Sequence, residues 1–354
     1  MLEVAFITDA PRVAGSEIWL LETLPLLPRF GIKPTVFLRN EPSLDELGLR
    51  LAHAGVACYR YKNLDDLANA GRFPIRVLQA WFPGTYSLLK RLPRPNVVYI
   101  HDQLEYHYPF GLKALYKQVY NLTKASKIRW ASRILVGTQW AAQFLKQNFN
   151  LQADVVPVGV NHLRFRPAEP QEHENLRKKF GFTRFTLLTP ARFTLEKNHW
   201  SILRAARFTP QADFVLVGAG NLARLYSSLA RYMGLTNVRF LKNRWDIADL
   251  YRASNAVLFP TLGDNPGLVI LEGMASGIPV VTSPFPPQAE VISPREGLLI
   301  PPDPKRLSEA VRWLIAHPEE TDVMGANGRA RILRERTAQH SAEALAKLLH
   351  QTLE

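Results

Sequence analysis

Short unbroken apolar runs recur along this chain, separated by longer stretches in which apolar residues return every three or four positions. In the first half the runs lie at 4–8, 34–38, 56–59, 77–81, 97–100 and 134–137, and 155–161 reads as a strand leaving into a linker. In the second half they lie at 185–189, 214–220, 238–244, 256–259, 278–282 and 297–302. Runs this short and apolar on both faces predict strands of parallel sheets covered on both sides. The segments between them predict helices. The first follows a loop, Asp9 to Gly15, with Ser16 as its expected N-cap and Ile18, Leu21 and Leu24 on its apolar face. Others are expected at 246–254, 266–276, 307–316 and 327–354. Strand–helix alternation of this kind is a doubly wound α/β pattern, in which ligands collect at the carboxyl ends of the strands.

Halfway along, Pro167, Pro170 and the polar run 171–175 interrupt the pattern, and the strands then begin again. Two domains of ordinary size are therefore expected from the 354 residues. With 47% hydrophobic and 21% charged residues the chain is globular rather than disordered. Its single cysteine, Cys58, leaves no intramolecular disulfide and no thiolate metal site. The chain runs into its first strand without a basic leader, and no apolar run is long enough to span a bilayer. A cytoplasmic protein is expected.

Charge changes the picture. The formal net charge is +13, and ten Lys or Arg face only Asp102 and Glu105 between Thr85 and Asn150, so that segment alone carries +8. Within it, aromatics alternate with lysines from Tyr108 to Lys117, as in interfacial segments. An anionic membrane surface or an acidic polymer would answer to segment 85–150, and a solvated helical face that keeps the protein soluble explains it equally. No nucleic-acid-binding module is present, so no nucleic acid is expected.

The chemistry concentrates in 259–283, FPTLGDNPGLVILEGMASGIPVVTS. A strand ends at Phe259, a loop runs through Asp264-Asn265-Pro266-Gly267, and a helix from about Pro266 to Ser276 leads into the next strand. The N–H groups of Gly267 and Leu268 at that helix start suit a phosphate. Asp264 and Glu272, with seven residues between them, suit hydroxyl groups, because a carboxylate accepts hydrogen bonds and repels phosphate. A ligand with a diphosphate between hydroxylated rings satisfies both features.

This spacing resembles the acidic signature of the retaining glycosyltransferases of the GT-B fold, family 4 (glycosyl transferases group 1). The resemblance covers nearly the whole chain and is strongest over 155–283. It is reinforced by Arg192 and Lys197, an arginine just after a strand and a lysine five residues on, in register with the acidic pair. It implies two Rossmann-like domains facing across a cleft, an acceptor-side domain over 1–158 and a nucleotide-sugar-binding domain over 159–336. It also implies a terminal helix, about 337–354, crossing back to the first domain. Arg192 and Lys197 would stabilise the departing diphosphate without a metal, so neither a metal nor another cofactor is expected. Glu272 would hold the ribose and Asp264 the transferred sugar, with His101, at the end of a first-half strand, touching that sugar. Gly15, the remaining member of a usual Gly-Gly pair, and Gly218 would let the donor approach closely. Gly218-Ala219-Gly220 lacks the third glycine and acidic partner of a dinucleotide fingerprint.

The implied activity is retaining transfer of a sugar from a nucleotide-diphosphate donor, by front-face displacement, to a lipid-linked or polysaccharide/lipopolysaccharide acceptor. The implied place is the cytoplasm, at the inner face of the membrane. Where the family usually reads Glu-Gly-Phe-Gly, this chain has Asp264-Asn265-Pro266-Gly267, a departure that bears on the sugar more than on the reaction. The alternative is a catalytically silent scaffold with the same shell; the intact Arg192, Lys197, Glu272 and His101 argue against it.

Overall fold

The computed structural model describes residues 1–107 and 112–353. The chain forms two compact units. The first holds the described residues of Met1–Glu105, Pro109–Gly159 and Arg336–Glu354, and the second Tyr106, His107 and Val160–Glu335.

The first unit is built on seven parallel strands in the order β3-β2-β1-β4-β5-β6-β7. They are β1 (Leu2–Thr8), β2 (Ile32–Arg39), β3 (Ala57–Tyr61), β4 (Ile75–Gln79), β5 (Asn96–Ile100), β6 (Arg133–Val136) and β7 (Asp154–Val155). Ile7, Leu78, Val98, Ile100 and Val136 belong to one buried cluster. The chain end returns to this unit. The helix Ala338–His350 packs on the helix Gly15–Thr23, where Trp19 donates to Ser341 across a 3.0 Å hydrogen bond. Gly159 lets the backbone pass, since a Cβ there would stand 2.2 Å from the Thr337 carbonyl oxygen.

The second unit has six parallel strands in the order β10-β9-β8-β11-β12-β13. They are β8 (Phe185–Pro190), β9 (Ala212–Val217), β10 (Val238–Leu241), β11 (Ala256–Phe259), β12 (Val280–Thr282) and β13 (Gly297–Leu299). Leu187, Phe214, Leu216, Leu258 and Val281 anchor its core. In each sheet the strand order reverses beside one pair: β1 and β4 in the first, β8 and β11 in the second. Loops leaving the carboxyl ends of such a pair diverge and open a crevice.

Several expected elements are shorter, and proline explains three of them. Pro157 follows the two-residue β7, Pro301 ends the run at Leu299, and Pro279 delays β12 to Val280. A ring nitrogen cannot donate to the ladder. The helix expected over 327–354 is two helices, Pro318–Glu335 and Ala338–His350, separated where Thr337 caps the second through His340 N. Ser16 is not an N-cap: the helix begins at Gly15, with Ala14 as its cap residue, and Ser16 lies inside the first turn. The first four residues of the aromatic–lysine run, Tyr108 to Gly111, lie outside the described residues.

Candidate functional site

In the second unit the loops after β8 and β11 flank the switch point, and they carry Arg192, Lys197, Asp264 and Gly267. After β8 the backbone is pinned from the neighbouring strand: Ala191 N donates to Val217 O, and Phe193 N to Ala219 O. This close passage needs glycine twice. A Cβ on Gly218 would stand 2.1 Å from Ala191 O, and one on Gly220 2.5 Å from Phe193 O. Gly218 thus presses against the loop that presents Arg192.

A single turn, Leu195–Lys197, then turns Lys197 inward. Its side chain is 8% exposed and its ammonium pairs with the Asp264 carboxylate from the loop after β11. Arg192, one-third exposed, lies 3.4 Å from Glu196, which also accepts the Thr194 hydroxyl at 2.5 Å. Each cation of the expected basic pair is therefore matched to a carboxylate. Glu196 escaped the sequence reading because a residue adjacent to Lys197 carries no spacing signal.

The loop after β11 is held from inside. Thr261, fully buried, bonds Glu196 O and Gly263 through its hydroxyl. Gln288, itself buried, donates to the carbonyls of Asp264 and Pro266 at 3.2 and 3.0 Å. The helix begins at Leu268, two residues later than expected, because Gly267 adopts φ +103°, outside the helical region. A side chain on Gly267 would meet Phe259 at 3.1 Å and Asp264 at 3.4 Å. No side chain caps this helix start, so no side chain takes up its first amides.

Glu272, on the same helix, is buried. Its Oε2 accepts the Tyr251 hydroxyl at 2.6 Å. Burial pushes its carboxyl above the usual range, with Tyr251 and the Arg164 charge opposing the shift. A carboxylate has about four lone-pair sites, so one tyrosine leaves acceptor capacity for other hydroxyls. The structure thus brings Arg192, Lys197, Gly218, Asp264, Gly267, Leu268 and Glu272 into one unit.

Gly15 and His101 belong to the first unit. Gly15 opens its first helix, where the buried Glu17 accepts from Ala14 N, Thr8 and Ser16, and Ser16 accepts from Trp81 Nε1. Burial lifts the Glu17 carboxyl to about 7. His101 leaves the end of β5 with its ring against Tyr99 at 4.1 Å and Trp19 at 5.2 Å. Burial lowers its pKa to about 3, so it is a neutral imidazole, and its Nε2 has no hydrogen-bond partner among the described residues. His107, to which the sequence assigned no role, donates its N–H to Leu262 O at 2.7 Å and stacks on Phe285 at 3.7 Å. It thereby braces the loop that carries Asp264. Among the described residues no group of three or more His, Cys, Asp or Glu is placed to hold a metal ion.

Residues 172–331 match the family described as Glycosyl transferases group 1. The chain is 31% identical over 186 residues to the putative glycosyltransferase EpsD of Bacillus subtilis, covering 50% of this chain and 49% of that protein. It is 29% identical over 209 residues to a GDP-mannose-dependent monoacylated alpha-(1-6)-phosphatidylinositol monomannoside mannosyltransferase of Corynebacterium glutamicum, covering 55% of each. The aligned region thus spans about half the length of these curated relatives. Among solved structures, Anabaena Alr3699/HepE in complex with UDP and glucose superposes with a TM-score of 0.84, covering 99% of this chain and 100% of that one at 19% identity. That likeness establishes the GT-B fold.

Proposed function

We infer that this chain, a member of the glycosyl transferases group 1 family with the GT-B fold, moves a sugar with retention from a nucleotide-diphosphate donor to an acceptor. One observation carries the reading: Lys197 and Asp264 meet at the switch point of the second sheet, beside an uncapped helix start that leads, about one turn on, to the buried Glu272. Cations and amides there suit a diphosphate, and the two carboxylates suit hydroxylated rings on either side of it.

In this reading the bond between the sugar's anomeric carbon and the diphosphate oxygen breaks while the acceptor oxygen bonds to the same face. The diphosphate gains the electron pair, and Arg192, Lys197 and the Gly267–Leu268 amides stabilise that charge without a metal. The acceptor proton passes to the departing phosphate. Asp264 orients the sugar hydroxyls and Glu272 the ribose. The proposed roles of His101 and Gly15 are carried by the resemblance alone. The Anabaena structure binds UDP and glucose, and the Corynebacterium relative uses GDP-mannose, so both bases are candidates. The proposed acceptor is a lipid-linked or cell-envelope polysaccharide intermediate, met by a cytoplasmic enzyme at the membrane's inner face.

The test is nucleoside-diphosphate release from a panel of UDP-, GDP- and ADP-sugars with EDTA present, together with thermal shifts by the free diphosphates. Release from one donor, lost in Lys197→Ala, is the expected result. No release and no stabilisation by any diphosphate would overturn the transferase reading in favour of a scaffold.

A further inference from the structure

Glu272 is held differently from the other carboxylates of the site. Asp264 meets Lys197, and Glu196 lies beside Arg192. The carboxylate of Glu272 accepts only one hydrogen bond among the described residues, from the Tyr251 hydroxyl to Oε2 at 2.6 Å, and its Oε1 accepts none. A carboxylate has room for about four, and buried acceptors are seldom left so short of donors. Burial accordingly pushes the Glu272 carboxyl up, against the opposing effects of Tyr251 and the Arg164 charge.

The phenol is firmly set. Tyr251 stands near the end of the helix Ile247–Ala253, which enters β11, and Glu272 lies on the helix that follows that strand. The tyrosine ring is fully buried and meets Phe165 edge-on, with centroids 5.4 Å apart. The helix end is tied down by His173, which donates to Arg252 O at 2.6 Å, and by Arg177, which donates to Ala253 O at 3.1 Å. Val269 O lies 3.5 Å from the phenol, and that neutral carbonyl would satisfy it without a buried charge. The carboxylate is nearer, and a charged acceptor makes the stronger bond. Burial and the Glu272 charge push the phenol well above its ordinary range, so it stays a donor.

We propose that Tyr251 positions Glu272 for the two neighbouring hydroxyls of a ribose, and thereby restricts the site to ribonucleotide donors. With Oε2 held by the phenol, the carboxylate cannot turn away, and Oε1 is left for a ligand hydroxyl. The remaining lone pair of Oε2 suits the second hydroxyl of the same diol. A deoxy sugar leaves this acceptor set short, and a site built to bond a hydroxyl rejects the analogue lacking it. The proposal rests on the reading of Glu272 as the ribose acceptor and goes beyond it, naming the residue that sets its geometry and the donors it excludes.

The test is calorimetric titration of UDP, GDP and their 2′-deoxy and 2′,3′-dideoxy forms into wild type, Tyr251→Phe, Glu272→Gln and the double variant. Thermal unfolding alongside shows that each protein is folded. Wild type should bind its preferred diphosphate about a hundredfold more tightly than the dideoxy form, with the deoxy form between. Tyr251→Phe keeps the ring against Phe165 and should cut that ratio by about tenfold or more, leaving the dideoxy affinity unchanged. Glu272→Gln should cut it as far, and adding Tyr251→Phe should cut it no further. A Tyr251→Phe protein that keeps the wild-type ratio overturns the proposal. So does one that loses affinity for all forms alike, as a merely structural role would produce, or a Glu272→Gln protein that keeps the full ratio. Wild type that binds ribo and dideoxy forms equally overturns the ribose role of Glu272 and this proposal with it. Wild type that binds no diphosphate at all overturns the transferase reading itself.

Discussion

Replacing Lys197 with methionine tests stability and ligand binding at once. The side chain keeps its length and apolar stem but loses its charge. Lys197 and Asp264 are only 8% and 14% exposed, so solvent screens their attraction little, and neither can be re-solvated without opening the loop. In Lys197→Met the Asp264 Oδ2 is left with the Thr261 hydroxyl at 3.4 Å. Breaking one side of a buried pair costs about 3–5 kcal/mol, because the remaining charge is uncompensated. The second unit runs from Val160 to Glu335. For a domain of that size the loss corresponds to a fall of roughly 6–20 °C in its unfolding midpoint. Adding Asp264→Asn removes the orphaned charge, and the double variant should recover to within about 2 kcal/mol of wild type. Calorimetry on wild type, both single variants and the double variant gives the coupling directly. Repeating the scans with a nucleoside diphosphate at about 100 times its dissociation constant should stabilise wild type by about 2.7 kcal/mol and the Lys197→Met forms by far less. A single variant within about 0.5 kcal/mol of wild type, with no coupling to Asp264, would refute the picture of a desolvated pair at the centre of the site.

Three further outcomes follow from single residues. Gly218→Ala forces a Cβ to 2.1 Å from Ala191 O, so the loop bearing Arg192 must shift; diphosphate binding should fall at least tenfold, read by calorimetric titration. Glu17 is held at about 7 against an ordinary 4.5. Between those values the folded state keeps a proton that the unfolded state has released, so stability falls with rising pH, by about 3 kcal/mol over the window. Urea unfolding at pH 4.5 and 7.5 should show that fall, and Glu17→Gln should flatten it. Ser341→Ala leaves the buried Trp19 N–H without its acceptor and should cost about 1–3 kcal/mol, whereas adding Trp19→Phe should cost little more; urea unfolding of the two variants checks this.

The strand pattern was legible because parallel strands buried on both faces are written as unbroken apolar runs, such as 4–8 and 256–259. What stopped them was less legible: the runs at 155–161 and 297–302 look continuous by hydrophobicity, yet Pro157 and Pro301 end the ladder. Registration of Arg192 and Lys197 with Asp264 and Glu272 was visible as spacing, since two loops at one switch point repeat the same strand–loop–helix grammar. Their partners were not. Glu196, Tyr251 and Gln288 act through contacts 4 to 24 residues away in sequence, and no periodicity marks them. Ser16 misled because a serine before an apolar helix face is the common N-cap pattern, while here the cap position is Ala14 and Glu17 turns back to its N–H.

The departure at Asp264-Asn265-Pro266 can be weighed against what surrounds it. Pro266 brings no N–H, so the loop loses one donor relative to the Glu-Gly-Phe-Gly pattern. The amides proposed for an anion lie beyond it, at Gly267 and Leu268, and Gly267 has a φ of +103°. Gln288 holds the carbonyls on both sides of Asn265, so the loop's course is fixed by a buried side chain rather than by the replaced residues. Asp264 is one methylene shorter than glutamate, yet it still meets Lys197. In the proposed site the shorter reach would move the carboxylate relative to the sugar and leave the groups proposed for the diphosphate in place. On the proposed reading the departure would change which hydroxyls are met, with the Lys197–Asp264 and Arg192–Glu196 pairs kept.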